Sequence, residues 1–91
     1  MRPRGPHDDA FRRIQIHEAE LASAEARLLH EPQCTAQTAS LARHVCDATR
    51  SLCTLSSELH DRDASLRCLH ASETCSAARE HQRALCATHA P

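Results

Sequence analysis

The sequence predicts an all-α fold of two to three helices, arranged as a helical hairpin or a short coiled coil. Alanine, the strongest helix former, is the commonest residue of the chain. Glycine occurs once, and proline is confined to the two ends and to Pro32. The stretch from 33 to 90 therefore contains no strong helix breaker.

The apolar content predicts a thin hydrophobic core. Leu, Ile, Val and Phe together make up about 15% of the 91 residues, below the level of an ordinary globular domain. A core of this size contributes only ~3 to 5 kcal/mol of stability, so chains this short usually depend on disulfides, a metal or a partner. We expect one small helical domain over residues 8–91 that is stabilised in one of these ways.

The first predicted element is a helix over about residues 9–30, preceded by a flexible N-terminal tail at 1–7. Apolar residues recur along the helix at helical spacing. Asp8 or Asp9 is expected to cap its N-terminus, because a carboxylate there accepts free amide hydrogens. Pro32 disfavours helical geometry at the preceding residue and so ends the helix.

A second helix is predicted over about residues 35–60 and a third over about 63–88. Thr35 or Thr38 can cap the second helix through its hydroxyl group. The segment between the two helices is polar but contains neither glycine nor proline. Two arrangements of the chain are therefore open at this point.

In the first arrangement the helix continues through the polar segment and forms a coiled-coil seam. Apolar residues repeat every seven positions along such a seam, and four of them do so here: Val45, Leu52, Leu59 and Leu66. In the second arrangement the chain turns between His60 and Asp63, with Asp61 or Asp63 capping a third helix that returns antiparallel.

The positions of the six cysteines fit the hairpin, because they are mirrored about its turn. Folding the chain at His60 and Asp61 places them opposite one another in three candidate disulfide pairs: Cys46 with Cys75, Cys53 with Cys68, and, within one position, Cys34 with Cys86. Small residues accompany the cysteines along one stripe of each helix, which lets two helices approach closely enough for disulfides. The alternative is that the cysteines are reduced and act as small buried apolar residues.

The mirrored pairs resemble the twin cysteine-pair (CHCH-like) α-hairpin proteins of the mitochondrial intermembrane space. The resemblance covers Cys46, Cys53, Cys68 and Cys75, with a shorter spacing within each pair than the commonest family pattern. In that family the cysteines join inner to inner and outer to outer, and many members are assembly factors or small subunits of respiratory complexes. The resemblance thus implies a mitochondrial protein with a structural role.

Metal binding and catalysis are not predicted. Cys46 and Cys53 are seven residues apart, or about 10.5 Å along a helix, so they cannot share one zinc ion. The sequence contains no CxxC motif, and Phe11 is the only aromatic residue, which argues against a pocket for a small-molecule substrate. We expect a non-enzyme with no catalytic, cofactor or metal site. The rival hypothesis is a thiol-based redox or copper-binding carrier that uses the facing cysteine pairs.

The expected function is that of a small structural or assembly subunit that binds other protein subunits of a larger complex. Its candidate partner-binding residues are the apolar residues of the second and third helices: Val45, Leu52, Leu55, Leu59, Leu66 and Leu69. Nucleic acid is not expected as a partner, except through the N-terminal arginines: Arg2, Arg4, Arg12 and Arg13. The sequence has no run of eighteen apolar residues, so it predicts no membrane span. It also lacks an apolar signal segment near its N-terminus, so we expect an intracellular location.

Overall fold

The computed structural model describes residues 5–87, which form three helices and no strand. The helices are α1 (Pro6–His30), α2 (Ala36–Leu59) and α3 (Arg62–Ala87). Short connections make each helix antiparallel to the next, and α2 contacts both of its neighbours extensively. The all-α prediction is confirmed, and α2 and α3 form the predicted helical hairpin.

Helix α1 begins earlier than its sequence pattern predicts. Gly5 is the N-cap and Pro6 is the first helical residue, a position where a proline ring already has the required φ and no amide hydrogen is missed. The Asp8 carboxylate accepts a hydrogen bond from the Gly5 amide at 3.4 Å, so it lies in the first turn and is not itself the cap. The end of the expected tail, at residues 6 and 7, is helical, and its first four residues lie outside the described part.

The connection from α1 to α2 follows the predicted signals. Glu31, which precedes Pro32, has an extended backbone with φ −74° and ψ 123°. Thr35 caps α2, since its hydroxyl oxygen accepts hydrogen bonds from the amides of Gln37 at 3.2 Å and Thr38 at 3.3 Å. The Thr38 hydroxyl oxygen accepts a bond from the Thr35 amide in return, at 3.0 Å. Reciprocal capping of this kind satisfies amides that have no partner within the helix.

The turn between α2 and α3 decides between the two arrangements in favour of the hairpin. His60 adopts the left-handed conformation with φ 50° and ψ 41°, which ends α2 without a glycine. The Asp61 carboxylate then accepts a hydrogen bond from the Ala64 amide at 3.0 Å and so caps α3, as one of the two predicted candidates. The seven-residue repeat from Val45 to Leu66 is therefore divided between two helices and is not a continuous coiled-coil seam.

The hydrophobic core lies mainly between α1 and α2. Its most buried large side chains, each 0% exposed, are Ile14, Leu28, Val45 and Leu52. Helix α3 contributes smaller groups, because its buried residues are three alanines at seven-residue intervals: Ala64, Ala71 and Ala78. This difference separates an apolar α1–α2 interface from a close, small-residue α2–α3 interface.

Candidate functional site

Three disulfides join α3 to α2 and to the segment before α2; together we call them the disulfide ladder. The structure links Cys34 to Cys86, Cys46 to Cys75 and Cys53 to Cys68, with Cα–Cα separations of 4.7, 4.8 and 4.9 Å. The mirrored register places these same cysteines opposite one another, and the prediction of a disulfide-containing hairpin is confirmed. All six cysteines lie among the described residues, and none is free.

Small side chains between the disulfides allow α2 and α3 to approach this closely. Ala42 of α2 and Ala71 of α3 are 5% and 2% exposed. The buried Thr49 hydroxyl lies 3.0 Å from the Ala71 carbonyl oxygen and 2.9 Å from the Val45 carbonyl oxygen, and its single hydrogen is shared between these acceptors. A larger residue at Ala42 or Ala71 would push the two helices apart and strain the disulfides between them.

The disulfides differ in their surroundings. Cys46 is only 5% exposed, and Cys53, Cys68 and Cys75 pack against the hydrophobic core; we call Cys46–Cys75 and Cys53–Cys68 the inner disulfides. The terminal disulfide, Cys34–Cys86, is half-buried and is not part of that cluster. Cys34 precedes α2 in the connecting segment, outside any helix.

The ladder offers no metal ligand in its oxidised form. A disulfide sulfur has no thiolate charge with which to bind copper or zinc. Elsewhere in the described part of the chain, no three His, Cys, Asp or Glu side chains are grouped so that they could hold a metal ion. Copper or zinc binding by these cysteines would therefore require reduction of the ladder first.

The structure divides the six predicted partner-binding residues into three environments. Val45 and Leu52 are 0% exposed and Leu59 is 9% exposed. The expectation that these three bind a partner is corrected, because they face the hydrophobic core and are covered within the chain itself. Leu55 is half-buried and also packs against that core.

Leu66 and Leu69 remain exposed, at 55% and 56%, and we call them the outward leucine pair. Each leucine is two residues from a buried alanine in the sequence, and at about 100° per residue this places it about 160° around α3 from that alanine. They therefore project from the side of α3 opposite its alanine stripe. The sequence pattern does not single out two further exposed apolar residues, Ile16 at 51% and Leu29 at 57%.

Arg67 connects α3 to α1 in a contact that sequence reasoning does not identify. Its guanidinium donates to the Glu18 carboxylate at 2.7 Å and to the Asp63 carboxylate at 3.1 Å, and it lies 5.9 Å from the centre of the Phe11 ring. Burial lowers the pKa of Arg67, but the two carboxylates outweigh it and leave the pKa raised above the ordinary value of arginine. The four-residue spacing to Asp63 is readable from the sequence, whereas the pairing with Glu18 depends on the packing of α1 beside α3.

Comparison with known proteins returns no match to a family model, to a curated protein or to a solved structure. Within residues 5–87, none of the helices combines the length and the apolar character that a membrane crossing needs.

Proposed function

We propose that this chain is a non-enzymatic helical subunit of a larger protein complex, and that it binds a protein partner through the outward leucine pair. The proposal rests on the placement of apolar residues in α3, where the small ones are buried and two large ones are exposed. This helix buries only alanines while Leu66 and Leu69 remain more than half exposed. A domain with so little apolar material gains nothing for its own core from these two leucines.

The ladder suits this role because it holds α3 in place without large core side chains. Three cross-links to the rest of the chain replace the burial of leucine side chains that would otherwise fix α3. The bulky residues are then free for a partner, and α3 presents them from a fixed backbone. A preorganised surface loses less conformational entropy on binding.

The expected contribution of the pair to affinity is moderate. Full burial of an exposed leucine is worth ~1.5 to 3 kcal/mol, and both side chains are already nearly half covered. Together they supply about 2 to 3 kcal/mol, which corresponds to a roughly 30- to 150-fold effect on the dissociation constant. A partner helix or groove must therefore add further contacts around them to bind stably.

The mirrored cysteine pairs and the hairpin support a place among the CHCH-like α-hairpin proteins, and with it the mitochondrial intermembrane space as the site of action. Disulfides form and persist in oxidising compartments and are rare in the cytosol. Fractionation of mitochondria, with protease protection of the intact and the outer-membrane-ruptured organelle, tests this location. Recovery of the endogenous chain outside mitochondria would contradict it.

The binding proposal is tested by expressing the tagged chain in its own cells and measuring the size of its assemblies after mild cross-linking. The wild-type chain is expected to migrate with a second protein at fixed stoichiometry, well above its own 10.1 kDa. Combining Leu66→Gln with Leu69→Gln should release the monomer without changing its circular dichroism. The matched control combines Ile16→Gln with Leu29→Gln, which alters side chains of similar exposure on α1, and should keep the complex.

Two results would refute the binding proposal. One is a wild-type chain that migrates as a monomer or as a homodimer alone. The other is a complex that survives the leucine double variant at wild-type stability.

A redox or copper carrier is the second candidate, favoured by the facing cysteine pairs with Cα atoms less than 5 Å apart. Such pairs could hold Cu(I), a soft ion that accepts two thiolates. Intact mass and elemental analysis of the chain isolated from cells separate the candidates. A mass about 6 Da below that of the reduced chain, without metal, supports the cross-linked scaffold, since each disulfide forms with loss of two hydrogens. Stoichiometric copper supports the carrier.

A further inference from the structure

The terminal disulfide lies near the C-terminal end of α3, beyond its buried alanines. Ala78 is the last buried residue of α3 in the described part of the chain, and the side chains that follow it toward α2, at 81, 82, 85 and 86, are half-buried. Cys86 lies one residue before the end of the described helix. The two turns that follow Ala78 therefore pack less deeply than the rest of α3, and the bond to Cys34 ties their far end to the segment before α2.

The segment on the other side of the bond is equally independent of the core. Cys34 lies between Pro32 and Thr35, in the five residues that connect α1 to α2. Its backbone has no regular helical hydrogen bonding, and the neighbouring Pro32 and Gln33 are exposed. Neither Cys34 nor Cys86 belongs to the hydrophobic core cluster.

The inner disulfides differ from the terminal one because they pack against the core. Cys46 is 5% exposed, and its half-buried partner Cys75 packs against the hydrophobic core, as do the half-buried Cys53 and Cys68. A thiolate must reach a disulfide sulfur to displace it, and the surrounding core side chains restrict that approach. Movement of α3 away from α2 would open these sulfurs further, but it exposes core surface and breaks the contact between the Thr49 hydroxyl and the Ala71 carbonyl.

We propose that the terminal disulfide is a redox-sensitive site that exchanges with external dithiols while the inner disulfides stay oxidised. In the first step one thiolate of the dithiol attacks a sulfur of the pair, a mixed disulfide forms, and the second protein sulfur leaves as a thiolate. The remaining thiolate of the reductant then displaces the protein sulfur. Two electrons and, at neutral pH, two protons pass to Cys34 and Cys86, and the dithiol becomes a cyclic disulfide.

Reduction at this site releases the end of α3 and leaves the outward leucine pair in place. Amide hydrogens of residues 80–87 should exchange faster, because only local opening is then needed. Those of residues 64–78 remain protected by the inner disulfides. Reduction of the terminal disulfide thus alters one end of the molecule and does not change the proposed partner surface at Leu66 and Leu69.

The test is a titration of the full oxidised chain with dithiothreitol in native buffer, quenched with N-ethylmaleimide and followed by intact mass. A species with two labels should accumulate before any species with four or six. Trypsin cleaves after arginine, so Cys34 falls in peptide 28–43 and Cys86 in peptide 84–91, apart from all the other cysteines. We expect labelling of these two peptides to be at least about tenfold faster than that of the inner cysteines, as their better access to the reductant predicts.

Two outcomes would overturn the proposal: labels that appear first on an inner pair, or a direct passage from no labels to six. A variant combining Cys34→Ser with Cys86→Ser gives a second readout. Its inner disulfides should still be reduced more slowly than the terminal disulfide of the wild-type chain, since the core still restricts access to them. Inner disulfides that are reduced as fast as that terminal bond would show that the terminal bond, and not the core, protects them, and would also overturn the proposal. If this variant fails to fold, the order of labelling in the wild-type chain decides by itself.

Discussion

Removing the innermost disulfide should lower the free energy of unfolding by about 2 to 3 kcal/mol. The perturbation is the combined replacement Cys53→Ser and Cys68→Ser. In the chain-entropy model, a cross-link that closes a loop of 15 residues stabilises the folded state by about 3 kcal/mol, because it restricts the unfolded chain. The remaining bond between Cys46 and Cys75 already restricts that same segment, which lowers the expected loss toward 2 kcal/mol.

The same reasoning extends to the whole ladder. The sequence separations are 15, 29 and 52 residues, so each outer bond adds a nested loop of 14 and then 23 residues to the one inside it. Each of the three disulfides therefore adds about 3 kcal/mol to the free energy of unfolding, or about 9 kcal/mol in total. Total stabilities of small domains are typically ~5 to 15 kcal/mol. One lost bond should therefore weaken the fold, and the loss of all three should abolish it.

The assay is unfolding in guanidinium chloride, monitored by circular dichroism at 222 nm, with the oxidised wild-type chain as the reference. A second variant, Cys53→Ala with Cys68→Ala, separates the loss of the cross-link from the introduction of two hydroxyl groups near the core. Both variants should unfold cooperatively at a lower midpoint. A loss below about 1 kcal/mol in both would refute the reasoning, because the unfolded-state term alone is larger.

Three further predictions concern single side chains. Leu52→Ala should cost about 2 to 5 kcal/mol in the same assay because it leaves a cavity in the core, whereas Leu66→Ala should stay within about 0.5 kcal/mol because its side chain faces solvent. Ala71→Leu should cost about 1 to 3 kcal/mol by forcing α3 away from α2, while Ala77→Leu, on the exposed side of α3, should be nearly neutral. Arg67→Gln should lower the free energy of unfolding by about 0.5 to 1 kcal/mol, because it removes the ion pairs, and the loss should be the same at pH 6 and pH 9. The pKa of Arg67 is raised, so the stability that its charge contributes is complete below the ordinary pKa of arginine and is lost only as the pH rises through the raised one.

Much of the fold could be predicted because local signals and the cysteine spacing agree. Thr35 and Asp61 cap the helices as side chains of their type do, and Pro32 ends α1. The sequence does not decide whether the chain turns after α2, since His60 adopts a left-handed conformation that non-glycine residues rarely take. The mirrored positions of the six cysteines fit the turn without deciding it, and in the structure their disulfides join α3 to α2 and to the segment before it.

The start of α1 was missed for a local reason. Asp8 and Asp9 are good N-cap residues, but acidic side chains are also favourable within the first turn, where they meet the positive end of the helix dipole. Gly5 and Pro6 form an equally valid cap and first residue. Sequence spacing does not decide between these two starting points.

The surface role of the leucines could be predicted only in part. Val45, Leu52 and Leu59 are buried in the hydrophobic core, and nothing local in the sequence specifies which side of α2 the neighbouring helices will cover. The alanine spacing of α3 was readable and, with the register of the cysteines, assigns its inner side. Leu66 and Leu69 then follow as outward residues.

The dependence of the fold on its disulfides is tested by comparing thermal unfolding of the oxidised chain with that of the same chain fully reduced by a phosphine and stripped of metal. We expect a cooperative transition for the oxidised chain. For the reduced chain we expect a weak helical signal that declines without a transition, because the ladder's ~9 kcal/mol is absent. A reduced monomer that melts cooperatively within about 10 °C of the oxidised protein would contradict this dependence, since that shift corresponds to only ~1 to 3 kcal/mol for a chain of this size.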